Sequence, residues 1–434
     1  MNSKLLRTKF TFSKQAFILI VLCMIGCTSS EPGKILLTGS PTDSKNMVGE
    51  KDIYAVFARE QNEIWMLTRD GSSDKTIYHY PREISLLLAE KNGAISSEIA
   101  AKLRAKDIGD STLLTVEVQK LALSPDKTYL AWIESYKWCP GNYCLGQDTI
   151  KILRLSDYLI VDVIRTSEIF SEIIWSPNSN YLAYHEETRG RIGGQESFLW
   201  MLDMTSVQTK LVGDDIAPLS SWAPDSQSMI VNVRADPYSR KLQGMAFVSI
   251  EARTFTPLIL PPLNDFNLYV DGNWSPDGTH LAFIGEHSNQ SENLNAVFTY
   301  DLSNQETINL SKNSQISAFS SPEWSSNSRW IASKAWDGEY FWDLVVMDGK
   351  TGTVCVLLES STVGKIYDWQ WSDRTDEIIF TSVDRNDPKR TRYIKIVQIP
   401  NGTLLDVELP EEIIEYYQRP EVYYGYIPVI SLTW

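Results

Sequence analysis

The chain has 434 residues, of which 43% are apolar and 11% are aromatic. This composition excludes global disorder, and the length exceeds that of a single hydrophobic core unless the core is divided among repeated units. The formal net charge of −15 excludes nucleic acid as a partner, because phosphate binding needs clustered Lys and Arg.

The first 26 residues differ from the rest of the chain. Four basic residues, Lys4, Arg7, Lys9 and Lys14, precede an apolar run at 16–26. The run is shorter than the roughly 20 residues that span a bilayer. A basic segment followed by a short apolar run is typical of an export signal.

The apolar run ends at Gly26 and Cys27, although Met24 and Ile25 depart from the usual pattern. This pair resembles the end of the bacterial lipobox, whose cysteine is lipid-modified and becomes the new N-terminus. The resemblance implies a lipoprotein signal peptide at 1–26, lipidation of Cys27 and a tether at 27–33. The mature protein is then exported and lipid-anchored to a bacterial membrane, on its periplasmic or extracellular face. An ordinary signal peptide with an incidental cysteine is the alternative.

The segments that follow the tether resemble parts of a unit that is repeated later in the chain. Apolar runs at 34–39, 63–71 and 75–78 match the second, third and fourth strands of the later units, but no first strand precedes them. Residues 81–118 then interrupt the pattern. We predict a partly helical insertion there, with Ser97 as a helix cap.

Six copies of a strand–turn–strand unit follow, beginning 47–52 residues apart. They lie at 123–132, 175–184, 222–231, 274–283, 324–333 and 371–380. The clearest copy reads Trp-Ser-Pro-Asp-Gly, then Thr-His-Leu-Ala-Phe, so that a tight turn precedes a strand. Two more apolar segments follow each copy. Four strands per unit without intervening helices predict a β-propeller blade.

This repeat resembles the TolB-type, WD-like propeller repeat over roughly residues 34–434. The resemblance implies an all-β fold made of four-stranded antiparallel blades. The same repeat occurs in the propeller domains of prolyl-oligopeptidase and dipeptidyl-peptidase relatives. No Gly-x-Ser-x-Gly elbow and no following α/β domain are present in this sequence, which weighs against a peptidase.

The segment at 427–434 resembles the first strand that the N-terminal unit lacks. We predict that this C-terminal strand closes the first blade, because closure removes exposed strand edges. Six complete units and this composite unit give a seven-bladed propeller. The alternative is six blades, with the N-terminal segment as an appendage.

Two cysteines, Cys139 and Cys144, flank a Pro-Gly turn. In an oxidising compartment this spacing favours a disulfide within one loop. A zinc site needs further Cys or His ligands, and the sequence offers no matched second pair. The four histidines fall in different units without a shared pattern, so we expect no metal, no cofactor and no catalytic residue.

The repeated tryptophans are expected to pack between neighbouring blades. Function is expected in the loops that join the second and third strands, because these vary while the turns repeat. Such loops emerge on one face of a propeller, and exposed Trp, Tyr and Arg are common in interaction hot spots. The candidates for partner binding are Trp138, Tyr143, Arg189, Arg191, Trp336, Tyr340, Trp342, Arg385 and Arg390. The alternative is that these loops only cover the ends of the blades.

These observations predict a monomeric, non-enzymatic binding or scaffold module of the cell envelope. A protein or peptide is the favoured partner, and a glycan is the second choice because Trp and Tyr also suit sugar rings. The competing hypothesis is a propeller enzyme, a lyase or hydrolase, that acts on glycans at the mouth of the central channel.

Overall fold

The computed structural model describes residues 53–59, 63–68, 75–140, 144–166, 168–188, 196–235, 242–260, 266–287, 295–312, 314, 316, 318–336, 342–352, 354–372, 376–383, 392–399, 402–406 and 430–432. These residues form 29 strands and three short helices. The predicted signal peptide, Cys27 and the tether lie outside them.

Six antiparallel sheets have four strands each. The N-terminal sheet contains β1 (Ile53–Arg59), β2 (Glu63–Thr68), β3 (Lys75–His79) and β29 (Ile430–Leu432). The second contains β9 (Ile169–Trp175), β10 (Tyr181–Glu187), β11 (Ser197–Asp203) and β12 (Gln208–Asp214). The third contains β13 (Ile216–Trp222), β14 (Ser228–Arg234), β15 (Leu242–Ser249) and β16 (Phe255–Pro257).

The remaining three four-stranded sheets follow the same order along the chain. One contains β17 (Phe266–Trp274), β18 (His280–His287), β19 (Asn295–Asp301) and β20 (Thr307–Asn309). The next contains β21 (Ala318–Trp324), β22 (Trp330–Trp336), β23 (Trp342–Asp348) and β24 (Val354–Leu358). The last contains β25 (Lys365–Trp371), β26 (Glu377–Val383), β27 (Arg392–Gln398) and β28 (Thr403–Asp406).

One antiparallel sheet has five strands. It contains β4 (Glu83–Ser85), β5 (Leu113–Leu123), β6 (Tyr129–Trp138), β7 (Leu145–Arg154) and β8 (Leu159–Thr166). The extra strand β4 comes from the insertion that precedes the first full copy of the repeat. The two helices α1 (Leu86–Lys91) and α2 (Ser97–Arg104) lie between β4 and β5, and α3 (Ser360–Val363) precedes β25.

The fold is an all-β propeller of antiparallel blades, and the sequence predicted this class. The predicted number of seven four-stranded blades is wrong, since the described strands form six, which is the alternative number. The difference between the predicted and the observed number of four-stranded blades arises in the sheet formed by the first full copy of the repeat. There the insertion adds β4 to the edge of β5 through the pairs between Glu83 and Thr115 and between Ser85 and Leu113.

The N-terminal sheet combines two distant parts of the chain. Strand β29 pairs antiparallel with β1, and Ala55 lies opposite Leu432. The C-terminal strand closes this sheet as the sequence predicted, and β1 has a partner on both of its edges. The second strand is 53–59 and not the predicted segment 34–39, which lies outside the described residues. The N-terminal segment is therefore part of a sheet and not an appendage.

The hydrophobic core is divided among the spaces between successive sheets. One core cluster fills each of the six spaces from the N-terminal sheet to the last sheet. A chain of 434 residues is too long for a single hydrophobic core. The repeated sheets divide the core, because each sheet buries its faces against its neighbours. The second strands are accordingly almost fully buried, as in β10 and β18.

The repeated Ser-Pro-Asp turns are held by their own side chains. The Ser275 hydroxyl donates to the Asp277 carboxylate (2.6 Å) and accepts the backbone N–H of His280 (2.9 Å). Asp277 also accepts the N–H of Thr279 (3.0 Å). The fourth position of the described turns has a positive φ, for example 71° at Gly278. The sequence motif is therefore an element of architecture.

Successive turns are joined by a series of hydrogen bonds that we call the turn belt. The third residue of one turn donates its backbone N–H to the serine hydroxyl at the fourth position of the next. These bonds join Asp126 to Ser179 (3.0 Å), Asn178 to Ser226 (3.1 Å) and Asp277 to Ser328 (3.0 Å). Farther along, the Asn327 amide donates to the Asp376 carboxylate (2.6 Å).

The repeated tryptophans lie between sheets, as expected. The Trp175 indole donates to the carbonyl of Ala122 in the preceding sheet (2.9 Å) and stacks on Tyr129, with ring centroids 6.0 Å apart. Trp222 repeats this arrangement one sheet later, where it stacks on Tyr181 at 6.1 Å. These contacts assign the tryptophans to packing.

The insertion contains the helices α1 and α2, and each of them has a serine cap. Ser85 Oγ accepts the N–H of Leu88 at the start of α1. At α2 the cap is Ser96 and not the predicted Ser97, since Ser96 Oγ accepts the N–H of Ile99 (3.3 Å). Both residues are serines in one run, and the sequence pattern alone does not distinguish them.

Candidate functional site

The connections between second and third strands all leave the same ends of the sheets, and we call this side the loop face. Three of the candidate residues for partner binding are described there. Trp138 ends β6, Trp336 ends β22, and Trp342 begins β23. The other six, Tyr143, Arg189, Arg191, Tyr340, Arg385 and Arg390, lie outside the described residues.

Trp336 and Trp342 are brought together by the register of their strands. They lie directly opposite each other as the last pair of β22 and β23. The Trp342 side chain is 38% exposed, whereas Trp336 is half-buried. The pair therefore places a partly exposed indole at the point where the loop begins.

Trp138 occupies a different environment. It is half-buried and packs against the core between the N-terminal sheet and the five-stranded sheet. Three four-stranded sheets lie between Trp138 and the tryptophan pair along the chain. The structure thus brings Trp336 and Trp342 together and places Trp138 in a different sheet.

The loop after Trp138 contains a disulfide between Cys139 and Cys144, with their Cα atoms 4.1 Å apart. The bond joins the ends of β6 and β7 across a short connection. At the same end, the Lys137 ammonium pairs with the Glu117 carboxylate at 3.0 Å. The disulfide therefore ties the two ends of this loop together, and the ion pair ties β6 to β5.

A row of polar side chains at the loop face was not predicted from the sequence. The Arg234 guanidinium at the end of β14 donates to the Glu187 carboxylate at the end of β10 (3.3 Å). Both side chains are largely buried, and the contact joins two neighbouring sheets. A partly desolvated pair of this kind interacts more strongly than one on the open surface.

The row continues into the next sheet through Asn232 and Asp271. The Asn232 amide donates to the Asp271 carboxylate (2.9 Å), and the backbone N–H of Asp271 donates back to the Asn232 side-chain oxygen (2.9 Å). Asp271 has a φ of 56°, a conformation that Asp tolerates better than most residues. The reciprocal bonds hold this strained residue in place.

Asp271 and the nearby Glu286, which lies near the end of β18, take up protons more readily than usual. Burial raises the pKa of Asp271, and the hydrogen bond from Asn232 offsets only part of this effect. Burial also raises the pKa of Glu286, and the nearby Asp271 carboxylate raises it further. A pair of such carboxyls can donate or accept a proton near a bound ligand.

His185 lies on β10, two residues before Glu187 at the end of that strand. Burial lowers its pKa, and the nearby Arg234 charge lowers it further, to about 3. The imidazole is therefore neutral at physiological pH. It contributes no positive charge to the loop face.

The sequence contains a signal for this row, but the signal has no fixed motif. Some second strands end with polar residues after their apolar stretch, as in Glu186-Glu187 on β10 and Arg234 on β14. The pairing partners come from different repeats. Their identities also vary, so no fixed spacing marks them.

Among the described residues, no group of three or more His, Cys, Asp or Glu side chains is arranged to hold a metal ion. In the same part of the chain, no helix is long and apolar enough to cross a membrane.

No protein-family model matches this sequence, and no curated protein matches it. Solved structures with a similar arrangement include TolB from Acinetobacter baumannii, at 13% identity and a TM-score of 0.41, covering 83% of this chain and 85% of the other. The β-propeller domain of the Trilobed protease from Pyrococcus furiosus is 12% identical with a TM-score of 0.47, covering 68% and 86%. An uncharacterized protein from Listeria monocytogenes is 12% identical with a TM-score of 0.47, covering 82% and 91%.

Proposed function

We propose that this protein is a non-enzymatic binding module that recruits a protein or peptide partner through its loop face. The observation that carries the proposal is the Trp336–Trp342 pair, in which a partly exposed indole stands at the mouth of a variable loop. Indole rings offer a large contact area at a low cost in conformational entropy, and they are enriched in binding hot spots.

The scaffold supports this role through its rigidity. Neighbouring sheets are fastened by the turn belt on one side and by the polar row on the other. Loops that stand on a rigid scaffold are pre-organised, and less entropy is lost when they bind. The partner is proposed to bind a monomer.

The test replaces Trp342 with alanine and measures the capture of partners from the organism's own envelope fraction. We expect partner recovery to fall by about tenfold or more, as for a hot-spot residue, with an unchanged melting temperature. The matched control is Ile308→Ala, which removes an exposed apolar side chain (46% exposed) from β20. Equal recovery in both variants would refute the proposed site.

A glycan-cleaving enzyme is the second candidate, and the observation in its favour is the pair of acids Asp271 and Glu286. Glycoside hydrolysis commonly uses two carboxyl groups, one of which has a raised pKa. This function predicts cleavage of envelope oligosaccharides that is abolished in both Asp271→Asn and Glu286→Gln. A lack of cleavage by the unmodified protein would remove this candidate.

We also propose that the protein is exported and held at a bacterial membrane by lipid on Cys27. The support is the basic segment, the short apolar run and the Gly26-Cys27 pair. Replacing Cys27 with serine is expected to move the protein from the membrane fraction to the soluble exported fraction. Retention of the serine variant in membranes would contradict the anchor.

A further inference from the structure

A buried group of polar side chains lies between the N-terminal sheet and the five-stranded sheet. Its centre is the Glu134 carboxylate, which is fully buried and accepts from Lys151 Nζ (2.6 Å) and from Trp132 Nε1 (3.0 Å). The Tyr136 hydroxyl also donates to Glu134. The ammonium of Lys151 contacts the Tyr78 hydroxyl at 2.8 Å. We call these five residues the Lys151 cluster.

The cluster joins the two sheets through one residue. Tyr78 belongs to β3, whereas the other four members lie on β6 and β7. The Tyr78 ring also packs on Trp132, with centroids 4.8 Å apart, and the Lys151 ammonium lies 5.3 Å from the centre of the Tyr78 ring. The N-terminal sheet thus supplies both a hydroxyl and a ring face to the charge of Lys151.

The repeat shows that the contact at this position differs between sheets. Trp132 and Lys151 lie opposite each other on the second and third strands of their sheet. In the last sheet Phe380 lies opposite Lys395 at this register. In two other sheets the pairs are aromatic, namely Tyr184 with Trp200 and Phe283 with Phe298. The centroids of these pairs are 6.5 Å and 5.7 Å apart, and the rings are stacked. In the five-stranded sheet a lysine paired with a buried glutamate therefore stands where two other sheets have an aromatic pair.

Such a replacement has a cost that an aromatic pair would avoid. The attraction within a buried ion pair does little more than offset the removal of both charges from water, so apolar residues of similar size stabilise a protein at least as well. Separation of the pair from its hydrogen-bonding partners is strongly unfavourable. The arrangement therefore adds selectivity, since Lys151 is fully satisfied only by a surface that presents a hydroxyl at the place of Tyr78.

Discrimination between correct and incorrect docking partners matters more at this interface than at the others. The sheets are similar units, and their apolar faces are similar in chemistry. Each following sheet is continuous in the chain, whereas the N-terminal sheet is built from β1–β3 and the distant β29. A copy of β29 from a second molecule, or a neighbouring blade, offers an alternative pairing for these strands.

We propose that the Lys151 cluster is a docking lock, which specifies that the completed N-terminal sheet docks on the five-stranded sheet. The N-terminal sheet then opens and closes as a separate unit. Opening withdraws Tyr78 from Lys151 and leaves the ion pair on β6 and β7 intact.

The test is native-state hydrogen exchange followed by mass spectrometry on the full chain. In Tyr78→Phe the ring is retained and the hydroxyl is lost. We expect exchange in β1–β3 and β29 to become about tenfold faster, with no change in the sheet of β21–β24. The matched control is Tyr181→Phe, at the interface where Tyr181 stacks on Trp222. It should leave β1–β3 unaffected.

A second variant distinguishes an effect on the selectivity of docking from an effect on global stability. The double leucine variant, in which leucine replaces Glu134 and Lys151, also carries Trp132→Phe and Tyr136→Phe so that no buried indole or hydroxyl loses its acceptor. We expect an equal or higher melting temperature with faster exchange in β1–β3. The proposal is overturned if Tyr78→Phe leaves β1–β3 unchanged or accelerates all sheets equally. It is also overturned if the double leucine variant protects β1–β3 as well as the natural residues do.

Discussion

At Gly278 the turn belt lacks the hydroxyl that Ser226 and Ser328 supply at neighbouring turns. A Cβ atom at Gly278 would meet only Pro224, at 3.8 Å and 4.0 Å, so the space for a larger residue is present. Its φ of 71° is the value at which a side chain introduces strain. Serine tolerates such a φ at the equivalent positions 179, 226 and 328.

Gly278→Ser should therefore change the free energy of unfolding by less than about 0.5 kcal/mol. The cost of the positive φ, about 1 kcal/mol, is offset by a new hydrogen bond from the N–H of Asp225, also about 1 kcal/mol. Gly278→Ala has the same strain without the hydroxyl and should lose about 1 kcal/mol. Denaturant unfolding measures the difference, and equal stability of the two variants would show that no bond forms.

His185 is expected to make the protein less stable in acid. Its pKa is about 3 in the fold, compared with an ordinary value of about 6.5 in the unfolded chain. The unfolded chain therefore binds an extra proton between these values, and stability falls as the pH decreases from 6.5 towards 3. The full effect is on the order of a few kcal/mol. It should be visible as a slope in unfolding free energy measured from pH 7 to pH 4.

The variant His185→Gln provides the control for this slope. It removes the titrating group, so the slope between pH 6.5 and pH 4 should become shallower even if the variant is less stable at pH 7. An identical slope in the variant would assign the acid sensitivity to other groups.

At the scale of the strand, side chains at the start of third strands fasten one sheet to the next. Asn295 on β19 donates to the carbonyl of Phe319 on β21 (2.8 Å) and accepts the N–H of the same residue. Asp148 on β7 accepts the N–H of Phe170 on β9 (3.1 Å), and Ser197 on β11 donates to the carbonyl of Ile216 on β13. Asn, Asp and Ser side chains thus all bond the backbone of the next sheet.

Asn295→Ala should destabilise the protein by about 2–3 kcal/mol, because it leaves a partly buried N–H and a C=O without their partner. The control is Asn304→Ala in the exposed turn between β19 and β20, which should change stability by less than about 0.5 kcal/mol. Thermal or denaturant unfolding distinguishes them. A similar small loss in both variants would show that water replaces the Asn295 contacts.

The elements that sequence reasoning predicted are those that repeat. The strand–turn–strand unit, the positions of the tryptophans and the closure by the C-terminal strand all follow from similarity between copies. The strand β1 at 53–59 was not predicted, because the second strand was assigned to 34–39. The strand β4 could not be found this way, because Glu83-Ile-Ser85 is short and belongs to no copy. Its edge position depends on tertiary contacts with β5.

The candidate site was predicted less well than the fold for a physical reason. Exposed aromatic residues in variable loops are visible in sequence, and Trp342 is one of them. The contacts between Arg234 and Glu187 and between Asn232 and Asp271 join residues from different repeats. A pairing across sheets depends on the angle between blades, which local patterns do not encode. The same limitation applies to the Lys151 cluster.

At the scale of the whole molecule, the division of the core has a consequence for mutational effects. Each core cluster is shared by two neighbouring sheets, for example the cluster of β21–β24 and β25–β28. Substitutions in clusters that share no sheet should therefore have nearly additive effects on stability, whereas those within one cluster should not.

Phe380→Leu and Phe283→Leu lie in two such separate clusters. Each should cost about 1–2 kcal/mol, and the double variant should equal the sum within about 0.5 kcal/mol. Coupling well above that value would indicate that the sheets respond as one unit.

The composite N-terminal sheet also determines when folding can finish. About 370 residues separate β1 from β29, and at roughly 5–20 residues per second their synthesis takes on the order of 20–70 seconds. During that interval β1 has an unpaired edge, which is a template for other strands. Completion of the N-terminal sheet is therefore delayed until β29 has been synthesised. Chaperones that shield strand edges have their greatest effect within this interval.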